Sequence, residues 1–150
     1  MKTALFPGSF DPITKGHEEI VKRSLLLFDE VFVAIANNSN KNSFFSLEKR
    51  KKWLIDCFEN EKRVKILCYD GLTVDICKKL NINYIIRGVR NCTDFQYEQD
   101  LAQINKQLSG IETIFLFSSP EFSNISSSIV RDIYKNKGDY EQFMPDNCKK

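Results

Sequence analysis

The sequence predicts an α/β fold, a doubly wound five-stranded parallel sheet with helices on both faces. Short apolar segments rich in β-branched residues alternate five times with helix-like segments. Such alternation is typical of parallel strands joined by crossover helices. The 150 residues, of which 42% are hydrophobic and 28% charged, suffice for one domain with a sizeable core. We therefore expect a single domain over residues 1–150.

The first strand and helix lie in residues 3–20, TALFPGSFDPITKGHEEI. Residues 4–6 are apolar, and the turn residues Pro7 and Gly8 predict the end of the strand. A helix is expected from about Lys15, where apolar residues begin to recur at helical spacing. His17, the only histidine, falls in its first turn. The free N–H groups and the dipole of a helix start favour an anion there, phosphate above all.

The next segments continue the pattern. Residues 31–36 (VFVAIA) predict a buried strand, and residues 37–43 (NNSNKNS) predict a mobile surface loop whose only charge is Lys41. Ser46 is expected to cap a helix that ends near residue 60. The basic residues 49–52 (KRKK) in that helix are interpreted as a solvated helix face rather than a nucleic-acid site.

Three further strand and helix pairs complete the expected fold. The predicted strands are residues 64–68, 84–86 and 113–117, and the predicted helices are residues 72–80, 94–108 and 126–134. The third strand of this group leads into the serine-rich segment SSPEFSNISSS. The last residues, GDYEQFMPDNCKK, are expected to form at most a short helix and a polar tail.

Bulk properties exclude several classes of protein. A net charge of +2 is too small to indicate nucleic-acid binding, and no apolar run approaches the 18 residues of a membrane span. The apolar N-terminus is broken at Pro7, before a signal peptide could form, so we expect a cytoplasmic protein. Five scattered cysteines and a single histidine favour neither a disulfide framework nor a zinc site. We interpret most of the cysteines as core residues.

The polar loops that follow the five strands are expected to converge on one pocket, since ligands of such sheets bind beyond the carboxyl ends of the strands. Its potential cations are His17, Lys41, Arg87 and Arg90. Neither a GxGxxG fingerprint nor a Walker-type phosphate loop is present. A pocket rich in donors and poor in bases suits phosphoryl or nucleotidyl transfer, where positioning and charge stabilisation dominate.

The two arginines have a structural alternative, in which they pair with Asp94 or Glu98. Their position at a strand end, on either side of Gly88, favours ligand contact.

Several motifs together carry a family resemblance. TKGH at residues 14–17 and ISSSIVR at residues 125–131 are similar to the two signatures of the nucleotidyltransferase superfamily, which has a Rossmann-like fold. The longer strings PGSFDPITKGH, SLEKR, RGVRNCTDFQYE and SNISSSIVRD resemble the bacterial phosphopantetheine adenylyltransferase family, from Met1 to about Pro145. That resemblance implies transfer of the adenylyl group of ATP to 4'-phosphopantetheine by in-line attack, with Mg²⁺ held mainly by ATP phosphates. It also implies a homohexamer.

The resemblance also implies residue roles. His17 would stabilise charge on the α-phosphoryl group, and Lys41 and Arg87, assisted by Ser9, would hold the phosphate of phosphopantetheine. Thr73 would meet the pantetheine arm. Arg90, Ser127 and Ser128 would grip the β- and γ-phosphates. The implied catalytic residues are His17, Lys41, Arg90 and Ser127. The implied ATP site comprises Ser9, Phe10, His17, Gly88, Val89, Arg90, Glu98, Phe122, Ser123, Asn124, Ile125, Ser126, Ser127 and Ser128.

Three alternatives stay open at this level. Another adenylyl- or cytidylyltransferase, acting on nicotinate mononucleotide or a small phospho-alcohol, would share the two short signatures but not RGVRNCTDFQYE. A non-catalytic nucleotide-binding module would be favoured by loss of His17, Lys41 or Arg90, and all three are present. A nucleic-acid binder would show strongly salt-dependent affinity.

Overall fold

Five parallel strands form one sheet in the computed structural model, which describes residues 1–37 and 42–149. The strand order is β3-β2-β1-β4-β5. The strands are β1 (Thr3–Gly8), β2 (Glu30–Ala36), β3 (Val64–Tyr69), β4 (Tyr84–Val89) and β5 (Glu112–Phe117). The helices are α1 (Lys15–Ser24), α2 (Leu47–Cys57), α3 (Thr73–Lys79), α4 (Cys92–Ser109) and α5 (Ser127–Lys135). The predicted fold class and every predicted strand and helix are confirmed.

Each face of the sheet has its own core. Ala4 and Phe6 of β1 point to one face, where they pack with residues of α1 and α2, whereas Leu5 points to the other and packs with residues of α3. This alternation is the two-residue period of a strand buried on both sides. Helix α4 contacts α3, β4 and β5. The sheet is therefore doubly wound, with its order reversing at β1.

Strands β1 and β4 run longer than the sequence predicts, to Gly8 and Val89. Strand β1 stays in register with β2 as far as Gly8 but pairs with β4 only at Ala4 and Leu5. Pro7, which has no backbone N–H, is tolerated in the strand because β4 no longer pairs beside it. The divergence of β1 and β4 opens a crevice at the switch point of the sheet.

The C-terminal residues correct the prediction of a polar tail. Two 3-10 turns, Glu141–Phe143 and Asp146–Cys148, end the described chain. Met144 is 1% exposed and Cys148 7% exposed, and the Cys148 thiol donates to the carbonyl of Trp53 in α2 at 3.2 Å. The end of the chain is thus part of the core. Cys57 and Cys77 are buried too, as the core interpretation of the cysteines predicted, and burial raises the pKa of Cys77 to about 11.

Helix α2 brings a second correction. Ser46 caps the helix as predicted, accepting a hydrogen bond from the Lys49 amide at 3.2 Å. Lys49, Lys51 and Lys52 are exposed, but Arg50 is only 3% exposed. The periodicity of the helix turns Arg50 inward while its three basic neighbours face solvent. The interpretation of residues 49–52 as a wholly solvated face was therefore wrong for Arg50.

Candidate active site

Two adjoining cavities open at the carboxyl ends of the strands. The first, of about 570 Å³, lies among β1, β4 and the first turns of α1, α4 and α5. The second, of about 620 Å³, lies among β1, the end of β3, α3 and the middle of α4. A shared wall separates them, formed by Pro7, Gly8, Ser9, Arg87, Tyr97 and Glu98.

His17 lines the first cavity in a fixed tautomer. Thr14 caps α1, and its backbone N–H donates to Nδ1 of His17 at 3.0 Å, while the His17 amide donates to Oγ1 of Thr14 at 3.4 Å. A backbone N–H can only donate, so Nδ1 is the acceptor and the neutral ring carries its proton on Nε2. The capping contacts therefore leave Nε2–H as the single N–H donor of the ring.

The His17 ring is held neutral. Burial, with a contribution from the charges of Arg87 and Arg90, lowers its pKa from 6.5 to about 4. Desolvation disfavours the charged form, and neighbouring cations disfavour it further. At neutral pH the ring is thus an uncharged hydrogen-bond donor beside two guanidinium groups.

The loop after β1 holds an unusual backbone conformation beside this histidine. Phe10 has a φ of +47°, in the left-handed region that non-glycine residues seldom adopt. Its ring is 2% exposed and lies 5.0 Å from the His17 ring and 5.4 Å from the Phe6 ring. A Cβ on Gly8 would lie 3.1 Å from the Phe10 ring. A side chain at position 8 would therefore press on the Phe10 ring, which would have to shift by a few tenths of an ångström.

Arg87 stands in the wall between the cavities. Its guanidinium forms a bidentate pair with Glu98, through bonds of 2.6 and 2.8 Å, and also donates to the Pro7 carbonyl. A guanidinium has five N–H donors, so two remain for a ligand. The sequence left open whether Arg87 pairs with an acidic residue or contacts a ligand. In the structure Arg87 pairs with Glu98 and also lines both cavities, so the pairing does not remove it from the site.

Arg90 lines only the first cavity. Nε and Nη2 donate to the Asp94 carboxylate at 3.0 and 3.4 Å, and the side chain is 35% exposed. An ion pair that solvent reaches in this way contributes little free energy of stabilisation. Arg90 is therefore held far less firmly than Arg87, and an incoming phosphate could compete for it.

The start of α5 faces the same cavity. Ser126 caps the helix by accepting from the Ile129 amide at 3.2 Å. The Ser127 hydroxyl donates to the Pro12 carbonyl at 2.7 Å, so its proton is already engaged. The first-turn amides of Ser127 and Ser128 have no partners within the helix, which makes this helix start suitable for an anion.

Most of the residues proposed from the sequence come together around the two cavities. The first is lined by Ser9, Phe10, His17, Gly88, Arg90, Glu98, Phe122, Ile125, Ser126, Ser127 and Ser128. Ser9, Arg87 and Thr73 line the second. Val89, Ser123 and Asn124 line neither, Val89 because it is buried within the sheet. Lys41 lies outside the described residues.

Sequence reasoning missed one face of α4. Asp94, Tyr97, Leu101 and Asn105 line the cavities together with Glu98. They recur every three or four residues, which places them on one side of a helix. In the sequence, this helical spacing from Glu98 could have indicated that these residues line the same site. Tyr69, Thr113 and Arg131 also line the cavities and were missed.

Comparisons with known proteins identify first the class and then the family. The family model described as Cytidylyltransferase-like matches residues 5–133, which makes the chain a nucleotidyltransferase by class. Phosphopantetheine adenylyltransferases of Flavobacterium psychrophilum and Bacteroides thetaiotaomicron are 51% and 42% identical to it, each match covering 97% of both chains. The chain belongs to the phosphopantetheine adenylyltransferase family.

A distant solved structure shares the fold. A bifunctional NMN adenylyltransferase/ADP ribose pyrophosphatase from Francisella tularensis superposes with a TM-score of 0.75 at 17% identity. The match covers 97% of this chain and 45% of that one, so the chain spans about half the length of that protein. At this identity the likeness concerns the fold alone.

Proposed function

We propose that the protein transfers the adenylyl group of ATP to 4'-phosphopantetheine, giving dephospho-coenzyme A and pyrophosphate. The observation that carries this proposal is the shared wall, in which Ser9 and Arg87 line two adjoining cavities. Direct transfer between two anionic substrates requires their reacting groups to meet beside cations. Family membership supplies the identity of the two substrates.

The first cavity would bind ATP. The amides at the start of α5 and the guanidinium of Arg90 would contact the β- and γ-phosphates, as an exposed cation and a helix start suit a polyphosphate. Nε2–H of His17 would donate to an α-phosphoryl oxygen as negative charge builds on it. A neutral donor gains most when that charge is largest, so this bond would favour the transition state.

The second cavity would bind 4'-phosphopantetheine with its phosphate at the wall. The two remaining N–H donors of Arg87 would hold that phosphate, with Lys41 and Ser9 as further contacts. The arm would extend past Thr73, whose hydroxyl lies 2.8 Å from the Tyr69 hydroxyl.

In the reaction itself, an oxygen of the acceptor phosphate attacks the α-phosphorus of ATP while the bond to the bridging oxygen breaks. Pyrophosphate leaves with that oxygen and its electron pair. No covalent bond to the protein forms in this scheme, because the acceptor and ATP meet directly at the wall.

We propose Mg²⁺ as the cofactor, bound mainly through the ATP phosphates. Among the described residues, no group of three or more His, Cys, Asp or Glu side chains is placed to hold a metal ion. Mg²⁺ keeps several waters and takes phosphate oxygens readily. The polar groups that the first cavity offers are mainly ones that bind phosphate, which fits an ion that arrives already bound to its nucleotide. When bound, it would neutralise phosphate charge.

We also propose a cytoplasmic homohexamer, in line with the family resemblance. Helix α4 exposes the apolar side chains of Tyr97, Leu101, Ile104 and Leu108. An exposed apolar face made of four large side chains favours contact with other copies of the same protein. No helix in the part of the chain that the structure describes is long and apolar enough to cross a membrane.

The function is tested by pyrophosphate release from ATP with three acceptors: 4'-phosphopantetheine, nicotinate mononucleotide and glycerol 3-phosphate. Release with 4'-phosphopantetheine alone is expected. Release with only one of the other acceptors would overturn the substrate assignment and keep the reaction type. ATP binding without release from any acceptor would overturn the enzymatic proposal.

A further inference from the structure

Arg50 is a buried charge that the proposed reaction does not use directly. It projects from α2 and is 3% exposed. Nε donates to the Phe45 carbonyl at 3.1 Å, and Nη1 donates to the Ser9 carbonyl at 2.9 Å. Burying a guanidinium is costly unless its hydrogen bonds are made. Both of these bonds go to backbone carbonyls, which points to the placement of backbone as the role of this side chain.

Asp11 makes the complementary connection. Its carboxylate, also buried, accepts from the amides of Phe44 and Phe45 at 2.7 and 2.9 Å. Arg50 and Asp11 therefore join the same two segments in complementary ways. Arg50 donates to backbone carbonyls, and Asp11 accepts from backbone amides. The segments are the loop after β1, which lines the first cavity, and the residues just before α2.

The bond to the Ser9 carbonyl acts on the strained residue. The Ser9 carbonyl and the Phe10 nitrogen belong to one peptide plane, and the φ of +47° at Phe10 is the rotation next to that plane. A left-handed conformation in a bulky residue persists only where its surroundings hold it. Arg50 holds the peptide on one side, and the Phe10 ring is held on the other by Phe6 and His17.

We propose that Arg50 is a positioning residue for adenylyl transfer, which fixes the Ser9–Phe10 peptide and thereby seats the Phe10 ring against the imidazole of His17. Asp11 supports the same arrangement from the opposite segment. This inference rests on the proposed function for its kinetic consequence. Its structural content, the link from Arg50 through Phe10 to His17, does not depend on the substrate.

The test compares Arg50→Met and Arg50→Lys with the control Leu54→Val. Leu54 lies one helical turn further along α2 and is fully buried, so the control perturbs the core without touching the Ser9 carbonyl. Arg50→Lys retains the charge but not the planar fork that spans two carbonyls. Each variant is measured for kcat and for the KM for ATP. Because the chain has one histidine, the imidazole NMR resonances of His17 are read without ambiguity.

Both Arg50 variants are expected to lower kcat by about 100-fold, as displacement of a catalytic group by about 1 Å does, and to leave the KM for ATP nearly unchanged. The His17 resonances are expected to shift in both variants and to stay in place in Leu54→Val. Unchanged His17 resonances in the Arg50 variants would overturn the proposal, as would a fall in kcat no larger than in the control. Wild-type-like behaviour of Arg50→Lys would overturn the positional role in favour of a charge effect.

Two further arms keep the test decisive. If Arg50→Met does not fold, Arg50→Lys and Asp11→Asn are compared instead. Asp11→Asn is expected to shift the same resonances because an NH₂ donor replaces one of the two carboxylate oxygens that accept from the amides of Phe44 and Phe45. Unmoved resonances in these two variants would overturn the proposal. The NMR readout needs no substrate, so a wild-type protein without transferase activity would contradict the proposed function separately.

Discussion

The two cavities share a wall, yet their polar groups are of different kinds. The first has His17, Arg90, Arg131 and the start of α5. Apart from Arg87 and Glu98 in the wall, the second is lined by hydroxyl, amide and apolar side chains, and Arg87 is its only cation among the described residues. Charge is thus concentrated where a polyphosphate would lie. The second cavity offers one cation, Arg87, which is paired with Glu98 in the wall, and its lining is otherwise uncharged, which suits a phosphate on a long neutral arm.

The same contrast separates the two arginines. Arg87 is tied to a buried carboxylate and a carbonyl, whereas the ion-pair partner of Arg90 is the half-buried carboxylate of Asp94 in the first turn of α4. A firmly held cation can define the meeting point of two substrates. A loosely held one can exchange its carboxylate for an incoming phosphate.

Substitution of His17 should have the largest effect. His17→Ala is expected to lower kcat about a thousandfold, the upper range for removal of one donor to a developing oxyanion. The KM for ATP should change little, because the bond strengthens mainly in the transition state. Steady-state kinetics with both substrates measures the two constants. A KM that rises as much as kcat falls would assign His17 to ground-state binding instead.

The neutral state of His17 should make stability depend on pH. The folded pKa of about 4 lies below the ordinary value of 6.5, so between these values the unfolded chain binds a proton that the folded protein does not. Stability is therefore complete above pH 6.5 and falls as the pH drops towards 4, by at most about 3 kcal/mol.

Urea unfolding at pH 7.5 and pH 5.0 tests this dependence against His17→Gln, which cannot titrate. The wild type should lose more stability than the variant between these two values. Equal losses would show that His17 titrates normally.

Substitution in the shared wall should affect both substrates. Arg87→Met is expected to lower kcat/KM about 50-fold for ATP and for phosphopantetheine, consistent with the loss of hydrogen bonds to charged groups. Glu98→Gln is the matched control, since it weakens the ion pair but leaves the guanidinium. An effect of Arg87→Met confined to ATP would place the acceptor phosphate elsewhere.

Substitution outside the wall should affect one substrate only. Arg90→Met is expected to raise the KM for ATP about tenfold, the effect of one charged hydrogen bond, and to leave the KM for phosphopantetheine unchanged. Lys106→Met, a basic residue near the far end of α4 that pairs with Glu112, controls for the loss of one positive charge. Equal changes in both KM values would contradict the assignment of ATP to the first cavity and phosphopantetheine to the second.

The smallest effect is expected in the second cavity. Tyr69→Phe removes the hydroxyl that lies 2.8 Å from the Thr73 hydroxyl. The KM for phosphopantetheine should rise about threefold, the value of a modest neutral hydrogen bond, and the KM for ATP should stay constant. A larger rise in the KM for ATP would contradict the assignment of Tyr69 to the second cavity.

The sequence predicted the fold well because hydrophobic pattern and turn residues decide it locally. It predicted that His17 opens a helix and that Ser46 begins one, since caps are short-range features. It failed where tertiary packing decides. Arg50 sits in a basic run, and only the loop carbonyls of Ser9 and Phe45 explain its burial. Likewise, no local sequence pattern near Cys148 predicts its contact with Trp53 in α2.

The site was predicted less completely than the fold. Motifs located the residues around His17 and Ser127, because the strand–loop–helix pattern fixes them. The pairing of Arg87 with Glu98, rather than with Asp94, depends on how α4 packs against β4. Adjacency of two cavities is a property of the sheet order, which local sequence does not specify.

Direct transfer requires that the two substrates meet at the wall without a covalent intermediate on the protein. Intact mass spectrometry of the protein incubated with ATP, Mg²⁺ and no acceptor distinguishes direct from covalent transfer. We expect an unmodified protein and no pyrophosphate until phosphopantetheine is added. A protein that gains one adenylyl group, with release of an equal amount of pyrophosphate, would contradict it.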